Sequence, residues 1–157
     1  MPAPRRSGGN TAIQAAKPAE PEAPRAGKIL VLDDEKSIAE MLGEMLGLLG
    51  YTTTVCNAAS RALELLEHED FDLIISDFRM PGINGRQFYC MAAQKRPELA
   101  QRIIFLTGDV VNEDTRAFLE SIGNPHIAKP FTLSNVKSVV EESIRNLAQP
   151  EPAGSVA

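Results

Sequence analysis

Short apolar runs alternate along this chain with longer segments in which apolar residues recur at helical spacing. The runs KILVL, FDLIIS and RIIFLT are continuous and carry apolar side chains on both faces, which is typical of parallel strands buried between two layers. YTTTVC is rich in β-branched residues and HIA is short. The pattern therefore predicts five strands, at 28–32, 51–56, 71–76, 102–107 and 126–128.

A predicted helix follows each strand. The helical segments are 38–49, 58–67, 87–95, 112–122 and 133–147, and Gly50 and Gly123 stand where the first and fourth should end. In the last segment the residues predicted to face inward are Leu133, Val136, Val139, Val140, Ile144 and Leu147. Five strand–helix units predict an α/β fold, a parallel sheet with helices on both faces and right-handed crossovers.

The two ends of the chain differ from this alternating region. Residues 1–27 are rich in Pro, Ala and Gly and almost lack large apolar side chains, so they predict a disordered leader or linker. Residues 148–157 predict a short disordered tail, and no output domain is expected after the last helix. The predicted folded domain is 28–147.

Composition narrows the functional classes. The chain has 157 residues, 43% of them hydrophobic, which suits one soluble domain with one core. A net charge of −5 disfavours nucleic acid as a partner. No apolar run approaches the roughly 20 residues of a membrane span, and none resembles a signal peptide. Cys56 and Cys90 have no metal-binding spacing and predict two free, mostly buried thiols in a reducing, cytoplasmic setting.

Polar residues follow four of the predicted strands. Asp33 and Asp34 follow the first strand and Asp77 follows the third, whereas Thr107 is the last residue of the fourth and Lys129 follows the fifth. Each has an ordinary explanation alone: a helix N-cap, a turn residue, a loop hydroxyl or a solvated charge. In a parallel sheet, however, all of these positions fall at the carboxyl edge, where ligands bind. Their coincidence at one edge favours a functional site.

Crowded carboxylates repel one another, so a positive partner is expected beside them. Hard oxygen ligands favour Mg²⁺, or Mn²⁺, as that partner, with Lys129 as a second positive group. A carboxylate can also attack phosphorus to form an aspartyl phosphate, whose oxygens the metal and Lys129 would neutralise. Thr107 offers a hydroxyl to a further oxygen. The set predicts phosphoryl transfer onto Asp77.

Four stretches, LDDE, ISDFRMPGINGRQF, FLTGD and AKPF, give residues 28–147 a strong resemblance to the receiver domain of two-component response regulators. The resemblance implies a flavodoxin-like (βα)5 fold, a doubly wound parallel sheet with strand order 2-1-3-4-5. It implies a phosphoprotein of a signalling phosphorelay that phosphorylates itself rather than an enzyme acting on other substrates.

The resemblance also implies roles for individual residues. Asp77 would be the phosphoacceptor, Asp34 a direct metal ligand and Asp33 a water-mediated one. The backbone carbonyl of Arg79 would be a further ligand. Thr107 would be the switch hydroxyl and Lys129 the lysine that binds the phosphoryl group, with a cis Lys129–Pro130 bond.

Three positions, His126, Arg79 and Asp109, each allow two interpretations. His126 stands where the family usually has an aromatic switch residue. It is either a half-exposed polar edge residue or a ring that turns inward with Thr107 and adds pH sensitivity. A His126→Phe variant with unchanged phosphorylation-dependent partner affinity at every pH would contradict the second interpretation. Arg79 and Asp109 are either independent solvated charges or a pair that lengthens the phosphoryl lifetime, which an unchanged dephosphorylation rate in Arg79→Ala would contradict.

Other functions fit the residues less well. A flavin-binding module would not place two aspartates where a phosphate must bind, and a haloacid-dehalogenase-like phosphatase needs an aspartate where Arg79 stands. The expected phosphodonor is a histidine kinase or a histidine phosphotransfer domain. A homodimer could form through the face of the fourth helix, fifth strand and fifth helix. The chain is either a stand-alone receiver or the terminal receiver of a hybrid sensor histidine kinase.

Overall fold

Five parallel strands and five main helices alternate in a computed structural model that describes residues 27–108 and 112–148. In chain order the elements are β1 Lys28–Leu32, α1 Lys36–Leu48, β2 Thr52–Cys56, α2 Ala59–His68, β3 Leu73–Asp77, α3 Gly85–Lys95, a one-turn helix Pro97–Ala100, β4 Ile103–Thr107, α4 Glu113–Ile122, β5 His126–Ala128 and α5 Leu133–Ala148. The predicted leader up to residue 26, the tail from 149 and Asp109 lie outside the described residues.

The strands form one sheet in the order β2-β1-β3-β4-β5, all parallel, which confirms the predicted order. The register aligns the strand ends: Leu32 of β1 lies opposite Ser76, Asp77 opposite Leu106, and Thr107 opposite Ala128. Every polar strand-end residue singled out above therefore lies at the same edge of the sheet.

The sheet has an apolar layer on each face because alternate strand residues point to opposite sides. Leu30, Leu32 and Phe105 pack under α2, α3 and α4. Ile29 and Val31 belong to the second cluster, which includes residues of α1 and α5. Since the central strands are buried on both sides, they read as continuous apolar runs in the sequence. This rigid centre holds the strand ends in place.

Two predictions about burial are wrong. Leu133 and Leu147 were expected to face inward, yet each is 40% exposed. Sixteen helical residues in α5 span about 24 Å, whereas a five-residue strand spans about 17 Å, so both ends of the helix extend past the sheet. Cys90 is exposed rather than buried, because the buried side of α3 is formed by Gly85, Phe88 and Ala92.

Three further local features bear on the sequence predictions. The Lys129–Pro130 bond is cis, as expected. The one-turn helix at Pro97–Ala100 was not predicted, although Pro97 at its first position is a usual helix start. Within the described part of the chain, no helix combines the length and apolarity that crossing a bilayer requires.

Candidate functional site

The end of β1 fixes Asp33 and leaves Asp34 open to solvent. Asp33 is fully buried, and each of its carboxylate oxygens accepts a bond. Oδ1 accepts from the backbone N–H of Glu35 at 2.9 Å, and Oδ2 accepts from Nζ of Lys129 at 3.3 Å. The side chain of Asn57 donates to the carbonyl of Asp33 at 3.0 Å. Glu35, not Asp34, is the N-cap residue of α1, so Asp34 is available as a ligand.

Asp77 is the last residue of β3, and its carboxylate is almost fully buried beside other charged side chains. Its side chain is 7% exposed, and Nζ of Lys129 lies 3.2 Å from Oδ1. Burial and then the neighbouring Asp33 raise the pKa of Asp77 to about 6, although Lys129 and a bond from the Arg79 backbone N–H act in the other direction. The protein's own positive groups therefore do not fully compensate the negative charge of this carboxylate.

Carboxylate oxygens of Asp33, Asp34 and Asp77 lie within 4.8 Å of one another. That spacing allows a single cation to contact more than one of them, and an all-oxygen donor set is the kind that Mg²⁺ prefers. A divalent ion would also supply the positive charge that the raised pKa of Asp77 shows to be lacking. The residues present thus fit the magnesium ion expected from the sequence.

Lys129 connects the two sides of the site. Its ammonium group is within salt-bridge distance of both Asp33 and Asp77. Burial lowers the pKa of Lys129, but the two carboxylates outweigh that effect and the net pKa is raised. Lys129 therefore stays charged at physiological pH. Its backbone N–H donates to the carbonyl of Thr107 at 2.9 Å, which joins the ends of β4 and β5.

The structure brings together most, but not all, of the predicted site residues. Thr107 is buried at the end of β4 and is joined to Lys129 through its backbone carbonyl. Arg79 is exposed beyond Asp77. His126 is exposed at the start of β5, two residues upstream of the sheet edge, opposite Phe105. Because Asp109 lies outside the described residues, its pairing with Arg79 stays a prediction, as does the switch role of His126.

Two supporting residues were not identified from the sequence. Asn57 anchors the Asp33 carbonyl from the end of β2, and its position at a predicted strand end was an available signal. Gly85 lies against Phe78, the residue after Asp77: a Cβ at Gly85 would lie 2.5 Å from Cδ1 of the Phe78 ring. The backbone N–H of Gly85 also donates to the Phe78 carbonyl at 2.7 Å. Nothing in the local sequence reveals that contact.

Comparison with known proteins agrees with this geometry. The family model for the response regulator receiver domain matches residues 29–141. The chain belongs to this family. It is accordingly a receiver domain of a two-component signalling system. Receiver domains bind Mg²⁺ at an acidic pocket, and this structure has a cluster of three aspartates, Asp33, Asp34 and Asp77.

Curated proteins of different kinds contain a region similar to this chain. The nisin biosynthesis regulatory protein NisR of Lactococcus lactis is 30% identical over 118 residues, which cover 75% of this chain and 50% of NisR. The sensory/regulatory protein RpfC of Xanthomonas campestris pv. campestris is 29% identical over 140 residues, covering 85% of this chain and 19% of RpfC. The chain spans half or less of the length of both proteins.

A solved structure supports the fold. The receiver domain of the sensor histidine kinase PA1611 from Pseudomonas aeruginosa PAO1 superposes with a TM-score of 0.69. The two chains are 24% identical, and the match covers 76% of this chain and 98% of the other. The arrangement of five parallel strands is therefore that of receiver domains.

Proposed function

We propose that this receiver accepts a phosphoryl group on Asp77 from a histidine kinase or a histidine phosphotransfer domain. The proposed Mg²⁺ ligands are Asp34, Asp77 and the backbone carbonyl of Arg79, with Asp33 bound to the ion through water. The observation that carries the proposal is the position of Lys129, whose Nζ lies 3.2 Å from Oδ1 of Asp77 beside three clustered carboxylates. Receiver-family proteins interact with such kinases and phosphotransfer proteins. The PA1611 receiver structure holds a magnesium ion coordinated in its active-site cleft.

In the proposed reaction a carboxylate oxygen of Asp77 attacks the phosphorus of a phosphohistidine. The new O–P bond forms as the N–P bond breaks, and the electron pair leaves with the imidazole nitrogen. When bound, the metal neutralises phosphoryl oxygens and so lowers the electrostatic cost of bringing an anion to an anionic carboxylate. Lys129 contributes a fixed positive charge on the same oxygens, because its ammonium is already held beside Asp77.

Thr107 is the proposed switch residue. Its hydroxyl would bond the phosphoryl group from the end of β4, and the α4-β5-α5 face would change with it and so alter partner binding. His126 would follow Thr107 as the second member of the switch, and a homodimer through that face is one outcome. The same chemistry suits a stand-alone regulator and the terminal receiver of a hybrid kinase, since the site lies within one domain.

A chemical phosphodonor tests the proposal directly. The full chain is incubated with acetyl phosphate and Mg²⁺, and its intact mass is followed with time. We expect one added phosphoryl group on the parent, none on Asp77→Asn, and at least tenfold slower labelling of Lys129→Met, because a phosphoryl-binding charge is lost. Lys137→Met, an exposed lysine change on α5, is the matched control and should label like the parent.

Two results would contradict the proposal. Labelling of Asp77→Asn at the parent's rate would place the phosphoryl group elsewhere. Catalytic turnover of acetyl phosphate or other phosphate esters, without accumulation of modified protein, would favour a phosphatase instead.

A further inference from the structure

The pairing between β1 and β2 ends just before the aspartates, and a side chain continues it by one residue. The last aligned pair of the two strands is Leu32 and Cys56. Beyond that pair, the backbone N–H of Asp33 donates to the Cys56 carbonyl at 3.3 Å. Nδ2 of Asn57 then donates to the Asp33 carbonyl at 3.0 Å. The end of β2 therefore holds the backbone of Asp33 through both its N–H and its carbonyl.

The carbonyl that Asn57 binds belongs to the peptide group between Asp33 and Asp34. Because a peptide group is planar, holding its carbonyl also fixes the direction in which Cα of Asp34 lies. The carboxylate of Asp33 has bonds of its own, from the Glu35 N–H and from Lys129. The Asp34 side chain is exposed, and within the part of the chain that the structure describes no hydrogen bond or ion pair holds it. Its position therefore depends on the backbone that Asn57 anchors.

We propose that Asn57 is a positioning residue for the magnesium site and acts through Asp34. The inference rests on the proposed function, in which Asp34 is a direct ligand of the ion. A carboxylate oxygen of Asp34 lies within 4.8 Å of those of Asp33 and Asp77, and rotation of the peptide group before it would move that oxygen away. Groups that hold a metal ligand in place change metal affinity although they do not touch the ion.

Asn57→Leu tests the inference, because leucine is close to asparagine in shape and has no donor. Asn57 is exposed and lines a cavity of about 310 Å³, so the leucine side chain meets open space rather than the core. Mg²⁺ is titrated into the ¹⁵N-labelled full chain, and amide shifts give the dissociation constant. We expect Asn57→Leu to bind Mg²⁺ about tenfold more weakly than the parent. Asn146→Leu, the same change at an exposed position of α5, is the matched control and should bind Mg²⁺ like the parent.

A double-mutant cycle separates positioning from a general structural effect. If Asn57 acts through Asp34, then Asn57→Leu should change the Mg²⁺ affinity by less than about twofold in a protein that already carries Asp34→Ala. A general structural defect would weaken binding equally in both backgrounds. In metal-free protein, the ¹³C shift of the Asp33 carbonyl should change in Asn57→Leu and not in Asn146→Leu, because only the first variant removes the donor to that carbonyl.

The outcomes distinguish this inference from the proposed function. Parent-like Mg²⁺ affinity in Asn57→Leu would overturn the inference, and so would a loss that persists in the Asp34→Ala background. A metal-free Asn57→Leu protein without the dispersed amide spectrum of the parent would also overturn it, because Asn57 would then stabilise the fold rather than position Asp34. All three results leave the proposed function intact. A parent that binds no Mg²⁺ at millimolar concentrations would overturn the proposed function and this inference with it.

Discussion

Burial and the neighbouring Asp33 carboxylate both disfavour the charged form of Asp77. The free energy of unfolding therefore depends on pH through this residue. Its pKa is raised to about 6 in the folded protein, above the value of about 4 expected for an unfolded chain. The folded state therefore binds the proton more tightly, so this group favours folding at low pH. That contribution is lost as the pH rises from about 4 through about 6.

Asp77→Asn isolates the effect because asparagine stays neutral. In chelator-containing buffer we expect the variant to have the larger free energy of unfolding at pH 8, by up to about 3 kcal/mol, and to match the parent below about pH 4. Urea titrations across that range measure the difference. Mg²⁺ should remove it by stabilising the parent alone. A parent that is more stable than Asp77→Asn at pH 8 without metal would contradict the expectation.

The sequence alone predicted that these site residues lie close together, because the carboxyl ends of parallel strands meet at one edge of the sheet. Asp33, Asp77 and Lys129 are separated widely along the chain but follow three strands that the apolar pattern predicts. Which carboxylate is buried could not be predicted, since Asp33 and Asp34 are adjacent and differ only in how the backbone turns toward α1. Cys90 was misplaced for a similar reason: the helical period of α3 does not show which flank is covered.

At the scale of helices, two glycines show how tertiary packing can override the intrinsic helix propensity of a residue. Gly47 lies in α1 with nothing within 4 Å of an added Cβ. Gly85 begins α3, and an added Cβ would lie 2.9 Å from Cα of Phe78 as well as close to its ring. The same substitution should therefore have opposite effects at the two positions.

We expect Gly47→Ala to raise the free energy of unfolding by about 0.5–1 kcal/mol, because alanine has the better helix propensity. Gly85→Ala should lower it by about 2 kcal/mol, because the backbone of Phe78 must shift to make room. Thermal and urea unfolding of the two variants measure the effects side by side. A stabilised Gly85→Ala protein would show that the contact with Phe78 relaxes freely.

The sequence predicted where the helices lie along the chain better than it predicted which of their residues are buried. Periodicity located the five main helices, because each has an apolar stripe against the sheet. The exposure of Leu133 and Leu147 depends on the length of α5 relative to the sheet beneath it, a comparison between elements that no single segment contains. A cavity of about 250 Å³ beside α4, whose lining includes Thr107, Leu119 and His126, likewise arises from how separate segments meet.

At the scale of the whole molecule, the two apolar layers predict a unit that folds without the ends of the chain. We expect this unit to begin at Gly27, because Gly27 is buried and its carbonyl accepts a hydrogen bond from the N–H of Thr52 at 3.0 Å. The backbone N–H of Lys28 donates a hydrogen bond to Oδ2 of Asp72 at 2.8 Å. The ammonium group of Lys28 forms an ion pair with Glu69 at 2.8 Å. Its ammonium also lies 5.1 Å from the centre of the Phe71 ring.

Two truncations that differ by two residues test this boundary. A fragment of residues 27–148 should unfold in urea within about 0.5 kcal/mol of the full chain, since it retains both apolar layers and the first-strand contacts. A fragment of residues 29–148 should be less stable by about 2 kcal/mol, because it loses the Gly27 and Lys28 bonds and the Lys28–Phe71 contact. If the longer fragment were already destabilised by that amount, the first 26 residues would contribute to the folded unit and the domain would begin earlier than predicted.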